Sequence, residues 1–337
     1  MSARGAALAE GKSTILKSVN AALADAMVED DSVLVLGEDI GDTEEGGVVG
    51  VTRGLSTRFG DQRVRTTPIS EQAIIGAAIG ASLVGFKPVA EIMLMNFTTV
   101  AMDMIVNHAA KLRFMSGGQT HVPIVIRTMT GTGFSSGGQH CDYLEAWFAH
   151  TAGIKVVLPS SPADAYGLMR SAIEDPDPVL FIENLPTYWN QDEAAPAGHR
   201  VPIGQANRLR EGADVTIVAY ARMVQEATAA VVELEQAGIS AELLDLRTVA
   251  PWDRQAVLAS VAKTRRLMIV HEAVTPFGVG AEIAAVVSEE LFGALAAPVK
   301  RLGGAFCPVP FSKPLETAFA PRAADIVAAA QALVARH

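Results

Sequence analysis

The chain has 337 residues, half of them apolar and 19% charged, with a formal net charge of −10; at about 150 residues per domain, this predicts two compact domains with a sizeable core. A surplus of acid over base does not suit phosphate-backbone binding, so no nucleic-acid partner is expected. Two cysteines, Cys141 and Cys307, with no CxxC pair exclude a disulfide scaffold and a structural zinc site, and they fit a reducing compartment.

The N-terminus shows no signal-peptide pattern, because Glu10 and Lys12 interrupt it early. The amphipathic stretch from about Ser13 to Glu29 predicts a helix, and Val33–Leu36 a buried strand. A helix begins near Ser70, which is placed to cap it, and Ala73–Gly85 is so uniformly small and apolar that this helix is expected to be buried. The longest uncharged small or apolar run, Ala73–Phe86, falls short of the roughly 18 apolar residues of a membrane span and is broken by glycines. No membrane association is expected, and a cytoplasmic location is. Pro88–Met93, Pro123–Met129, Ile154–Leu158 and Val179–Glu183 read as further strands, with helices over Thr98–Met115 and Ala163–Glu174 between them. Continuous apolar strands of this kind suit a parallel sheet covered on both faces. The Pro/Gly/Ala-rich segment 192–203 reads as a linker. Beyond it strands are expected at Val215–Tyr220, Ala241–Leu246, Leu267–His271 and Pro298–Leu302, with helices at Met223–Ala237, Asp253–Ala262 and Val279–Phe292. The fold class is therefore α/β, with two parallel-sheet domains at 1–191 and 204–337.

Two glycine patterns fail as nucleotide motifs. Gly5 and the Gly11-Lys12-Ser13 triplet are separated by five residues where a P-loop has four, and no strand precedes them. Gly131-Thr132-Gly133, running on to Gly137-Gly138, does not match the dinucleotide fingerprint. It is nevertheless a glycine-rich loop at a strand's carboxyl end, where ligands of open α/β sheets sit, and it delivers His140. Taken alone, His140 reads first as a plain loop histidine. Glu71, alone, reads first as a helix-start carboxylate favoured by the helix dipole. At the mouth of an apolar helix, however, a carboxylic acid has a raised pKa and can share a proton with a ligand nitrogen.

Five ordered segments carry a resemblance that spans almost the whole chain, from about Thr14 to Ala335. They are Leu36-Gly37-Glu38-Asp39, Thr67-Pro68-Ile69-Ser70-Glu71, Gln139-His140, Gly153–Pro159 and Phe277–Ile283. Together they resemble the beta subunit of the thiamine-diphosphate-dependent component of 2-oxoacid and acetoin dehydrogenase complexes, and Gly46–Leu55 looks closer to the acetoin type than to the pyruvate type. The resemblance implies a pyrimidine-binding domain followed by a transketolase-C-terminal-like domain. It implies that Glu71 hydrogen-bonds the aminopyrimidine nitrogen of thiamine diphosphate and favours the imino tautomer that activates the thiazolium carbon. Ile69, Met93 and Phe97 would line the cofactor pocket; Met93 and Phe97 read equally well as core packing. His140 would act as proton donor while the acyl equivalent passes reductively to a lipoyl group, a task suited to imidazole. Carbonyls at Ile124, Ala172, Ile173, Asp175 and Asp177 match a potassium loop, against the plain reading of an Asp/Pro turn.

The implied partners are an alpha subunit, in a two-alpha two-beta heterotetramer, and a lipoyl-bearing dihydrolipoamide acyltransferase. The chain has no Gly-Asp-Gly, so the diphosphate and its magnesium are expected on the alpha subunit. That absence also weighs against a stand-alone transketolase-like two-carbon transferase. A non-catalytic assembly subunit is the other alternative, against which the presence of Glu71 and His140 weighs. Cys141-Asp142 stands where the family commonly has Ser-Gln, and Phe306 stands where it usually has Asp; both departures are expected to bear on substrate or partner class. Within the C-terminal domain, His271-Glu272 reads as structural, and nothing there offers independent chemistry.

Overall fold

The structure is a computed structural model that describes residues 11–335. Gly5 of the P-loop-like pattern, and the other nine of the first ten residues, lie outside the described residues. The described chain forms two compact units: one takes the residues up to Thr130 together with Trp147–Ile203, the other takes Gly131–Ala146 and the residues from Gly204 onward.

The first unit runs through β1 (Lys12–Thr14), α1 (Ile15–Glu29), β2 (Val33–Gly37), α2 (Leu55–Phe59), β3 (Val64–Thr66), α3 (Glu71–Leu83), β4 (Lys87–Leu94), α4 (Leu112–Met115) and β5 (Val125–Thr130). After α5 (Glu145–Ala149) it continues with β6 (Lys155–Val157), α6 (Pro162–Glu174), β7 (Val179–Asn184) and β8 (Gln191–Glu193). Its main strands are parallel in the order β6-β7-β5-β4-β2-β3. The central strands β5 and β7 are buried along their whole length, which is why they read as unbroken apolar runs. Helix α1 starts where the Thr14 hydroxyl accepts from the Lys17 amide at 3.2 Å. Ile15, Val19, Leu23 and Met27 place its apolar stripe in the core. Helix α6, capped by Ser161 and opened by Pro162, packs against α1.

Three details of the first unit depart from the sequence reading. The stretch 98–115 is not one helix: a 3₁₀ turn over Met95–Ala101, a π-helical turn over Met104–Ala109 and the short α4 share it. The Thr98 and Thr99 hydroxyls bond back to the carbonyls of Met95 and Asn96 at 2.6 and 2.8 Å, a local alternative to regular helix. Helix α3 is not buried within the chain. Ile74, Ile75, Ala78 and Ile79 face inward, while Ala73, Ala77, Gly80 and Leu83 form an exposed apolar face. The segment 192–203 begins inside β8, which pairs antiparallel with β1 through Lys12 and Glu193.

The second unit contains β9 (Asn207–Arg210), β10 (Val215–Ala219), α7 (Met223–Gln236), β11 (Ala241–Asp245), β12 (Thr248–Ala250), α8 (Arg254–Thr264), β13 (Leu267–Val274), α9 (Val279–Glu290), β14 (Lys300–Gly304), α10 (Lys313–Phe319) and α11 (Ala323–Val334). Its five-stranded sheet has the order β14-β13-β10-β11-β9, parallel except for β9, which lies antiparallel at the edge. Helices α7 and α11 pack together on this sheet, and their contact encloses Val224, Val231, Leu234, Ile326 and Ala330.

Candidate active site

In the first unit the chain leaves β2, adds β3 on one side, then crosses to add β4 on the other. That is a topological switch point, and ligands of open α/β sheets bind outside the carboxyl ends of strands there. The residues expected around a pyrimidine ring stand at these ends. Glu38 follows β2, Ile69 and Glu71 follow β3, Met93 is the next-to-last residue of β4, and Phe97 is in the 3₁₀ turn beyond it. Helix α3 packs against both β4 and that turn. Ile69 is 84% exposed, whereas Met93, Phe97 and Glu71 are half-buried.

Local backbone geometry holds this arrangement. The Thr67 amide donates to the Gly37 carbonyl at 2.9 Å, tying the segment before α3 to the end of β2. A side chain at Gly37 would put its Cβ 2.9 Å from Glu91 on β4, so only glycine allows the two strand ends to approach this closely. Ser70 precedes α3 but makes no side-chain cap. Its backbone N–H points instead to the Glu38 carboxylate, and the Glu38 carboxyl is raised above its ordinary range, first by burial and then by the carboxylates of Glu71 and Asp39. Glu38, which the sequence shows only as part of a motif, is therefore a second acid beside Glu71.

A buried ion cluster supports these strands from within. Arg127 on β5 donates to Glu183 on β7 at 2.6 and 2.9 Å and to Glu91 on β4, and the Tyr188 hydroxyl donates to Glu183 at 2.6 Å. The expected cation loop is also occupied by charges of the chain. Lys155 holds the Asp175 carboxylate at 2.6 and 2.7 Å, and Arg113 holds Asp177 at 2.6 Å. The Ile124 carbonyl accepts from the Val179 amide at 3.0 Å, and the Ala172 carbonyl accepts from the Asp175 amide at 3.3 Å. Ile173 lies in the last turn of α6. A monovalent ion there would be held by backbone carbonyls, not by carboxylates.

His140 belongs to the second unit, with the whole loop 131–146. The glycine-rich start of that loop is no open cradle, because its amides are taken by carboxylates of the same unit. The Thr132 amide and hydroxyl donate to Glu272 at 2.7 and 2.6 Å, and the amides of Gly133 and Ser135 donate to Glu316 at 2.6 and 3.0 Å. Arg222 donates to the Thr132 carbonyl at 3.0 Å, and Lys313 to the Gly133 carbonyl at 2.5 Å. At the far end Tyr220 donates its hydroxyl to Glu145 at 2.6 Å, and burial raises the Glu145 carboxyl to about 7. His140 closes a turn by donating its amide to Gly137 at 3.1 Å.

The two departures beside His140 sit differently. Cys141 is 2% exposed and packs on Val309, Phe319 and Ala320. Burial raises its thiol to about 11, so it is an inert packing group. Phe306 is 72% exposed and tilts against Phe277, ring centres 6.5 Å apart. His271 is buried against glycines, and its pKa is lowered to about 4 by desolvation. Sequence reasoning missed Glu316, Glu145 and Tyr220, and it treated Glu272 only as a structural neighbour of His271.

Comparison with known proteins accounts for this layout. The family model for the transketolase pyrimidine binding domain matches residues 12–188, and the model for the transketolase C-terminal domain matches residues 204–326. The chain is 44% identical over 328 residues to the beta subunit of acetoin:2,6-dichlorophenolindophenol oxidoreductase of Cupriavidus necator, covering 95% of this chain and 97% of that protein. It is 43% identical over 333 residues to a mitochondrial pyruvate dehydrogenase E1 component subunit beta of Oryza sativa, covering 98% of this chain and 88% of that protein. Among solved structures it shares its fold with an inactive beta4 tetramer of a split-gene transketolase, at TM-score 0.77 and 23% identity, covering 97% of this chain and 99% of that one. The chain thus belongs to the family of E1 beta subunits of pyruvate and acetoin dehydrogenase complexes, built from a transketolase-like pyrimidine-binding domain and a transketolase C-terminal domain.

Proposed function

We propose that this chain supplies the pyrimidine half-site of a thiamine-diphosphate-dependent dehydrogenase acting on a 2-oxoacid of the pyruvate type or on acetoin. Its partner alpha subunit completes the site and holds the diphosphate and magnesium, since this sequence has no Gly-Asp-Gly. The acyl equivalent then passes to a lipoyl group on an acyltransferase. The observation that carries this reading is the acid pair at the switch point, Glu71 backed by Glu38, with Met93 and Phe97 beside it.

The residues present fit the cofactor. A ring nitrogen that must gain a proton needs a carboxyl partner, and Glu71 is half-buried at a helix start with Glu38, whose own carboxyl is raised first by burial and then by Glu71, beside it. Met93 and Phe97 offer a flexible thioether and an aromatic face to a planar ring. When bound, thiamine diphosphate supplies the nucleophilic carbon that attacks the substrate carbonyl and accepts the electrons of C–C cleavage. Glu71 holds or releases a proton at the ring nitrogen. His140 donates or accepts a proton during transfer to the lipoyl disulfide. A potassium ion on the carbonyls of Ile124, Ala172, Ile173, Asp175 and Asp177 would stiffen the turn between α6 and β7.

The test is dye-coupled turnover of the chain assembled with its alpha partner, thiamine diphosphate and magnesium. Pyruvate, acetoin, 2-oxoglutarate and branched-chain 2-oxoacids are offered in parallel. Turnover of pyruvate or acetoin, lost when the cofactor is omitted, is the expected result. A stable, cofactor-binding complex that turns over none of them overturns the reading.

A further inference from the structure

One short segment, from Pro308 to Ala320, touches the His140 loop at three places. At the loop's entry, the Glu316 carboxylate accepts the amides of Gly133 and Ser135 at 2.6 and 3.0 Å, and its second oxygen takes the Ser135 amide at 3.1 Å. Just before His140, the Phe311 ring lies so close to Gly137 that an added Cβ would stand 2.5 Å from it, and Gly137 has φ +74°. Pro308 and Val309 press in the same way on Gly138, at 3.0 and 3.4 Å from a virtual Cβ. Just after His140, Cys141 is seated on Val309, Phe319 and Ala320.

Glu316 is 3% exposed. Burying a carboxylate is costly without strong compensation. Here the compensation is a set of main-chain N–H donors with Lys313 at the rim, the arrangement that stabilises an anion in a backbone nest. The glycine-rich loop has therefore closed around an acid of its own chain. Its glycines serve close packing on the segment 308–320, and the loop is held on both sides of His140.

We propose that Glu316 is a positioning residue for His140, acting through the loop 132–141 and aided by Lys313, Phe311 and the seat beneath Cys141. This rests on the reading above that His140 takes part in transfer to the lipoyl group. A loop fixed at both flanks presents the imidazole with less to order in the transition state, so loosening it lowers the transfer rate more than it weakens substrate binding.

The experiment uses the chain assembled with its alpha partner and compares the parent with Glu316→Gln, Lys313→Met and His140→Ala. Backbone hydrogen exchange over residues 131–142 is followed in the complex without substrate. Lipoyl-dependent turnover is followed with a lipoylated acyltransferase domain as acceptor. Glu316→Gln places an amide NH₂ against main-chain donors. It is expected to speed exchange across the loop and to lower lipoyl-dependent kcat by about tenfold or more, with KM for the 2-oxoacid or acetoin changed less than about twofold. Lys313→Met removes the hydrogen bond to the Gly133 carbonyl and the 3.5 Å contact with Glu316 and is expected to act in the same direction by about two- to threefold; it decides the matter if Glu316→Gln does not assemble. Faster exchange with unchanged turnover, beside a large loss in His140→Ala, overturns the positioning role alone. Unchanged turnover in His140→Ala overturns the role of His140 itself.

Discussion

Glu145→Gln should change how stability depends on pH. Glu145 is fully buried, with one carboxyl oxygen accepting from Tyr220 at 2.6 Å and the other without a hydrogen-bond partner. Burial moves its carboxyl from the ordinary 4.5 up to about 7, opposed in part by the Tyr220 hydrogen bond. Because the folded value lies above the unfolded one, the stabilisation is complete below pH 4.5. It is lost progressively as pH rises, until it levels off above 7. At about 1.4 kcal/mol per pH unit, the interval from 4.5 to 7 corresponds to about 3 kcal/mol. Glutamine keeps an oxygen for Tyr220 and cannot ionise. Its NH₂ has no acceptor waiting, a cost of about 1–3 kcal/mol that does not vary with pH. The variant-minus-parent difference in urea unfolding free energy should therefore climb by about 3 kcal/mol between pH 4 and pH 8, whatever its value at the start. Other titrating groups cancel in that difference. Parallel stability curves for the two proteins across this range would refute a buried, neutral Glu145.

Two further predictions concern the first unit. Arg127→Met strands Glu91 and Glu183 in the sheet interior and should cost about 3–5 kcal/mol; adding Glu91→Gln and Glu183→Gln should recover most of it. Urea denaturation of the three proteins measures this, and a loss under about 1 kcal/mol for Arg127→Met would show the cluster to be hydrated. Ala77→Glu puts a charge on the exposed apolar face of α3. The chain should fold with its stability changed by no more than about 0.5 kcal/mol, yet fail to co-purify with its alpha partner; an intact complex would show that this face is not the interface.

The sequence carried the central architecture because the central strands carry it redundantly. β2, β4, β5 and β7 are buried on both faces and appear as runs such as Val33–Leu36 and Val179–Ile182. The edges were illegible for the opposite reason. β1, β8 and β9 read Lys-Ser-Thr, Gln-Asp-Glu and Asn-Arg-Leu-Arg, and polar runs of three or four residues are too short to show a period. Glu71 was legible as a helix start, although Ser70 gives its amide to Glu38 instead of capping with its side chain. The apolar surface of α3 looked like core, since composition does not distinguish burial within a chain from a face left for a partner. The loop 131–146 shows where local reading ends. Its glycines suggested a ligand cradle, but the acids that fill it, Glu272 and Glu316, stand 140 and 183 residues from the amides they bind. Nothing local marks Glu316 apart from other acids near a helix start.

On the proposed function, Glu71 does proton chemistry on a cofactor shared with an alpha subunit. The most direct measurement compares the parent and Glu71→Gln, each assembled with that subunit, thiamine diphosphate and magnesium, for turnover of the preferred substrate and for complex mass. Complexes of equal mass with turnover lowered by about a hundredfold or more in Glu71→Gln are predicted. Equal turnover from both would refute that role and leave the chain an assembly subunit that kept the fold without the chemistry.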